Sequence, residues 1–146
     1  MPTSFDTVID RALITVNDYK LRKFYNQDLD RFQTQMDGFL IDAIPNFFQC
    51  RQSLEYDLEN REFKSDLTDT EISILGDFWI LSWFGREVRN ASQFNGKLQA
   101  SGSFKSHSAA QALKEKSAYE DKIREKVYQK ITDYQLEDLS GIDFVV

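Results

Sequence analysis

"DLTDTEISILGDFWILSWFGREV", residues 66–88, decides the fold of this chain. Residues 68–71, Thr-Asp-Thr-Glu, match the capping box, in which a threonine and a glutamate side chain each accept a backbone amide at a helix start. We therefore predict a helix that begins at Thr68 and continues to about Asn90. Apolar residues lie on almost every side of it, with Trp79 and Trp83 the largest. A helix that is apolar all round must be buried.

Two kinds of partner could bury this helix. In the first interpretation it lies at the centre of a bundle, and the chain's own helices cover it on several sides. In the second, one side carrying Trp79 and Trp83 is covered by a neighbouring subunit, because a large exposed apolar patch marks an interaction site. The sequence leaves both interpretations open.

Two segments before this helix repeat apolar residues at the three- and four-residue spacing of a helical face. The first spans residues 5–16, and Thr3 or Ser4 can serve as its cap. The second spans residues 29–43, and Pro45 ends or kinks it, because a proline disfavours the helical conformation of the residue before it. Both segments predict amphipathic helices.

The last helix opens on a second capping box, formed by Ser108 and Gln111, and leaves the helical pattern near Asp138. Its outer face alternates charges, with Glu120 and Arg124 spaced for an ion pair. Its apolar stripe consists of Ala109, Ala112, Leu113, Tyr119, Ile123, Val127, Ile131 and Tyr134.

The remaining segments connect these helices. We predict a polar connector over residues 17–28, and a short helix through Phe47 and Phe48 that precedes a charged linker. Residues 90–108 contain Asn-Gly and Ser-Gly pairs and predict a loop or short hairpin. With no convincing strand, residues 1–146 predict one all-α domain: a four-helix bundle-like core, a long loop before the last helix, and an extended tail over residues 139–146.

Composition excludes several classes of protein. The net charge of −6 argues against a protein that holds nucleic acid by neutralising phosphates. The single cysteine cannot form an internal disulfide, which fits a reducing compartment. The start of the sequence lacks the pattern of a signal peptide, and the longest apolar stretch is too short to span a bilayer. We expect no membrane association.

No group of residues supports catalysis. His107 is the only histidine, which rules out a triad or a two-histidine metal site within one chain. Cys50 has no base near it in the sequence, and burial as a small apolar residue explains it better. The carboxylates of Asp28 and Asp30, or of residues 57–62, have no second cluster beside them that would make a magnesium site. We expect no enzyme activity, metal or cofactor.

From residue 66 onward the chain resembles the helical head–tail connector (adaptor or neck) proteins of tailed bacteriophages. The resemblance lies in "DLTDTEISILGDFWILSWFGREVRN", an apolar tryptophan helix with a Leu-Thr-Asp start, and in "SGSFKSHSAAQALKEK", a Gly-x-Phe-Lys loop leading into a serine-capped helix. It covers about half of the chain. The first 65 residues match only in layout, as two amphipathic helices before an acidic linker.

This resemblance implies a structural protein of the virion, made in the host cytoplasm and located at the head–tail interface. Such adaptors form a ring, commonly of twelve copies, between the portal protein and the next neck or tail component. The ring surrounds the channel through which the genome passes, and an acidic chain suits a channel that must not bind DNA. A ring requires two different complementary patches on each subunit.

The residues that we expect to contact a neighbouring subunit or the portal come from the tryptophan helix, the loop and the tail. They are Trp79, Trp83, Phe104, Lys105, Ile142, Phe144, Val145 and Val146. A tail completion or other neck protein is one alternative, although such folds are typically rich in β-sheet. A small helical regulator that binds a host protein is the other.

Overall fold

The computed structural model describes residues 1–16, 29–100 and 106–139, with side chains for 1–16, 29–86, 111 and 114–137. Four α-helices lie within these ranges: α1 (Phe5–Val16), α2 (Leu29–Ala43), α3 (Asp69–Ala100) and α4 (Ser106–Leu139). A 3-10 turn, Ile44–Asn46, follows α2. The all-α prediction is therefore confirmed for the described residues.

A small antiparallel hairpin, β1 (Tyr56–Asp57) and β2 (Glu62–Phe63), lies between the 3-10 turn and α3. The sequence analysis predicted no strand in this segment. Strands of two residues are too short to show an alternating pattern in the sequence. The hairpin is also tied to the start of the chain, because Ser4 pairs with Glu62 in an isolated antiparallel bridge.

The capping box at the start of α3 is present as predicted. The Thr68 hydroxyl oxygen accepts the amide of Glu71 at 3.2 Å, and a Glu71 carboxylate oxygen accepts the amide of Thr68 at 2.9 Å. From this start α3 runs through the centre of the fold, with α1, α2 and α4 packed around it. Ile74, Leu75 and Ile80 are buried on different sides of the helix. The first interpretation, a central helix covered by the chain itself, is correct.

The two N-terminal helices follow the predicted stripes. Ser4 caps α1, since its hydroxyl oxygen accepts the amide of Asp6, while the Thr3 hydroxyl oxygen instead accepts the amide of Leu67. Helix α2 ends two residues before Pro45. The buried members of the two stripes are Phe5, Val8, Ile9, Ala12, Phe32, Met36, Phe39, Leu40 and Ala43.

The predicted end of α3 is wrong. The helix continues past Asn90 to Ala100, and α4 begins at Ser106, two residues before the second capping box. The remaining residues between these helices that belonged to the predicted loop, 101–105, lie outside the described residues. The Asn, Ser and Gly residues that predicted a loop each cost a helix only about 1 kcal/mol or less, and good helix formers such as Ala91, Leu98 and Ala100 lie among them. With 32 and 34 residues, α3 and α4 are each about 50 Å long at about 1.5 Å per residue.

The predicted short helix through Phe47 and Phe48 is also wrong. The 3-10 turn ends at Asn46, after which Phe47 is buried against Tyr134, with ring centroids 5.5 Å apart. The next side chain, Phe48, is 81% exposed. The apolar pair therefore turns one ring into the core and the other to the surface, which a single turn accomplishes without a helix. The connector 17–28 lies outside the described residues.

Candidate interaction surface

Trp79 and Trp83 belong to the core of the chain and not to its surface. Trp79 is 0% exposed, and its indole N–H donates to the backbone oxygen of Met36 at 3.0 Å. Its ring meets Phe39 edge to face at a centroid distance of 5.6 Å. Trp83 is 5% exposed and packs edge to face on Phe84. The two tryptophans therefore offer no area to a neighbouring subunit, which corrects our prediction. The wheel pattern could not distinguish burial by the chain's own helices from burial by a partner.

The other predicted contact residues fall in the predicted loop and tail. The structure does not describe this set, which comprises Phe104, Lys105, Ile142, Phe144, Val145 and Val146. They remain predictions.

Large apolar side chains on the described surface supply a different set of candidates. On α4, Tyr128 and Leu136 are both about half exposed. At about 100° per residue they lie some 80° apart on the side of the helix that faces away from Val127 and Ile131 in the core. Phe48, after the 3-10 turn, Ile14 on α1 and Leu58 in the hairpin are also exposed. These side chains, unlike the tryptophans, are available to a partner.

The buried carboxylate of Glu71 connects the start of α3 to neighbouring segments through hydrogen bonds. Glu71 is almost fully buried and accepts from four groups. One oxygen accepts the amide of Thr68 and the side-chain amide of Gln52, and the other accepts the Tyr134 hydroxyl at 2.7 Å and the Cys50 thiol at 3.3 Å. The capping box thus joins α3 to the loop after α2 and to the last turns of α4.

The pKa values in this cluster follow from the same contacts. Burial alone would raise the pKa of Glu71, but the donors from Thr68, Tyr134, Gln52 and Cys50 outweigh it, so the pKa lies below the usual glutamate value. Burial, helped by the nearby Glu71 carboxylate, raises the pKa of Cys50 to about 11. The thiol is therefore a poor nucleophile at neutral pH. Our prediction that Cys50 is buried holds only in part, because it is half-buried and donates a hydrogen bond.

A second polar cluster holds the hairpin against the helices. Arg61 adopts a positive φ of 54°, which is uncommon for a residue other than glycine. Its guanidinium donates twice to the Asp37 carboxylate, at 2.7 Å each, and once to Asp6 at 2.8 Å. The paired donors match the planar carboxylate and make a strong, directional contact. This contact fixes the hairpin to α1 and α2 at once.

The described residues show no candidate metal site. No group of three or more metal-ligating side chains occurs in the described part of the chain. Asp57, considered above as a magnesium ligand, instead accepts the amides of Glu59 and Asn60 in the hairpin turn. The helices of the described residues also include none that is long and apolar enough to cross a membrane.

Comparisons with known proteins do not assign the chain to a family. No protein-family model matches it, and no curated protein or solved structure is similar to it.

The sequence predicted the capping box, but it did not predict the other hydrogen bonds of Glu71. The spacing of Thr68 and Glu71 predicts two backbone contacts, and it says nothing of Cys50, Gln52 and Tyr134, which approach from positions far along the chain. A signal for the last of these exists in hindsight: Tyr134 ends the apolar stripe of α4, and a buried tyrosine hydroxyl needs a hydrogen-bond partner.

Proposed function

We propose that this chain is the subunit of a ring-forming head–tail connector of a tailed bacteriophage. In this proposal it is a structural virion protein that lies between the portal and the next neck or tail component and surrounds the DNA channel. The described residues that carry the resemblance, 66–90 and 106–116, lie almost entirely in α3 and in the first turns of α4, the two longest helices of the described chain. This coincidence is the observation that carries the proposal.

The packing of α3 and α4 supports a rod-like subunit suited to lateral contacts. Lys130 on α4 pairs with Asp77 on α3. Tyr119 contacts Phe84, which lies about two turns further along α3, whereas Tyr119 lies about three turns back along α4 from Lys130. Residue numbers rise along α3 and fall along α4 from one contact to the next, so the two helices are antiparallel. Two antiparallel helices of about 50 Å each give a subunit with long sides, along which copies can meet.

The exposed face of α4 is the described surface that best suits such a contact. Tyr128 and Leu136 present apolar area there, and tyrosine is enriched at protein interfaces. Because both tryptophans are buried within one chain, the subunit folds first and associates through this surface afterwards.

Mass measurement by light scattering, for the protein alone and mixed with the portal assembly of the same phage, tests the proposal. We expect a discrete multimer, alone or on the portal, that appears as a ring by electron microscopy. A double variant, Tyr128→Ser with Leu136→Ser, should weaken association. Gln33→Ala, a change at an exposed position of α2 and so outside this face of α4, should not. A protein that stays monomeric at high concentration and ignores the portal would contradict the proposal and favour a helical regulator.

A further inference from the structure

A groove opens where α1, α3 and α4 meet. It consists of two adjoining cavities of about 110 and 290 Å³, both lined by Arg11, Ser73 and Lys130. Thr15, Lys126 and the buried carboxylate Asp77 complete the polar lining of the smaller cavity. Carboxylates of Asp69, Asp133 and Glu137 line only the larger one. The smaller cavity is therefore the basic end of the groove.

The charges of this basic end are not balanced within the described chain. Lys130 is neutralised by the buried Asp77, whose oxygen lies 2.7 Å from its ammonium nitrogen, and it donates to Ser73 at 2.7 Å. The Arg11 guanidinium and the Lys126 ammonium have no ion-pair partner among the described residues. Two uncompensated cations at one small cavity favour an anionic occupant. They stand out on a chain whose net charge is −6.

An apolar side chain lies beside this basic end. Ile14 is 79% exposed and lies one turn along α1 from Arg11. A ligand that combines a carboxylate with an adjacent apolar group would therefore use both features. The volume of about 110 Å³ admits a single carboxylate side chain but not a large ligand.

The tip of the β-hairpin carries that combination. Leu58 is 54% exposed, and its neighbour Glu59 is exposed. The Asp57 carboxylate holds the turn by accepting the amides of Glu59 at 3.0 Å and Asn60 at 3.3 Å. Arg61 anchors the base of the tip through Asp37 and Asp6, as described above. A tip that is already rigid loses little conformational entropy on binding.

We infer that the hairpin tip of one copy docks into the groove of the next copy, with Glu59 between Arg11 and Lys126 and Leu58 on Ile14. The inference rests on the proposed ring. Tip and groove are separate patches: the tip adjoins the first turn of α1 through Asp6, whereas the groove lies along the second half of that helix. A contact between two different patches is heterologous and continues from copy to copy, as a ring requires.

Charge exchange between the two patches tests this contact. Glu59→Lys and Lys126→Glu should each weaken self-association at least about tenfold, because each places like charges opposite one another. The double variant should recover most of the loss, since it restores an opposite pair. The neutral changes Glu59→Gln and Lys126→Gln should give a smaller loss with the same sign. Glu55→Lys makes the same charge change elsewhere on the hairpin and serves as the control.

Sedimentation velocity measures the association, and circular dichroism checks that each variant keeps the wild-type helix content. Raised sodium chloride should weaken the wild type more than the neutral variants. If Glu59→Lys and Lys126→Glu assemble like Glu55→Lys, or if the double variant shows no recovery, the contact is refuted while the proposed ring stands. If the wild type itself never assembles, with or without portal, both fail together.

Discussion

Replacement of Glu71 by glutamine tests whether the buried carboxylate holds the fold together. Glutamine keeps the shape and one oxygen, but its NH₂ group faces two donors that previously met an acceptor. Hydrogen bonds to a charged group contribute about 1.5–3 kcal/mol each. Gln52 recovers part of the loss, because it also donates to the backbone oxygen of Asp66 at 2.8 Å. We expect a net loss of about 3 kcal/mol, against a total stability of about 5–15 kcal/mol.

Urea and thermal unfolding of the variant measure this loss. For a chain of this size about 3 kcal/mol corresponds to a fall in Tm of about 10 °C. The control is Glu55→Gln, which removes an exposed carboxylate paired with Lys64 and should cost less than about 1 kcal/mol. A Glu71→Gln variant as stable as this control would refute the role assigned to the carboxylate.

The pH dependence of that loss has a fixed sign. The folded pKa of Glu71 lies below its unfolded value of about 4.3. The carboxylate therefore stabilises the fold at pH values above the unfolded pKa, and this contribution disappears as the pH falls through the folded pKa. The difference between wild type and Glu71→Gln should be constant above about pH 6 and shrink below about pH 4.

Two further predictions follow from the polar clusters. With its pKa raised to about 11, Cys50 should react with iodoacetamide at pH 8 about a hundredfold more slowly in the native protein than in urea. Mass spectrometry measures the rate of labelling. A native labelling rate within tenfold of the unfolded rate would contradict the raised pKa. Arg61→Lys should lower the free energy of unfolding by about 1–2 kcal/mol, because lysine cannot make the paired contact to Asp37. Urea unfolding measures this free energy. An unchanged midpoint of unfolding would show that other contacts hold the hairpin in place.

The parts of the fold that local rules govern could be predicted from the sequence. The start of α3 follows from Thr68 and Glu71, whose contacts span three residues, and the end of α2 follows from Pro45. The far end of α3 could not be predicted. Within residues 91–100, Ser92, Asn95 and Gly96 are typical of a loop, whereas the alanines, glutamines, lysine and leucine around them favour a helix, so local propensity does not decide between the two.

The surface was harder to predict than the core, because it depends on which elements meet. Arg11 and Lys126 are 115 positions apart in the sequence and line one cavity only because α1 and α4 flank α3. The distribution of apolar residues around α3 correctly predicted that the helix is buried, but it did not predict which elements cover it. The same pattern fits a central helix and a shared one, and only the positions of α1, α2 and α4 distinguish them.

The burial of Trp79 and Trp83 constrains how any assembly of this chain forms. A subunit that exposed them would resemble an obligate oligomer, which has no stable folded monomer. Here the largest apolar side chains are covered within one chain, so self-association must draw on smaller exposed groups, such as Tyr128 and Leu136, and on charge pairs. Interfaces of this kind rely on complementarity more than on bulk apolar area and respond to salt and concentration. A ring built this way assembles from finished subunits, so its stability and the stability of the fold are separate quantities that separate mutations can change.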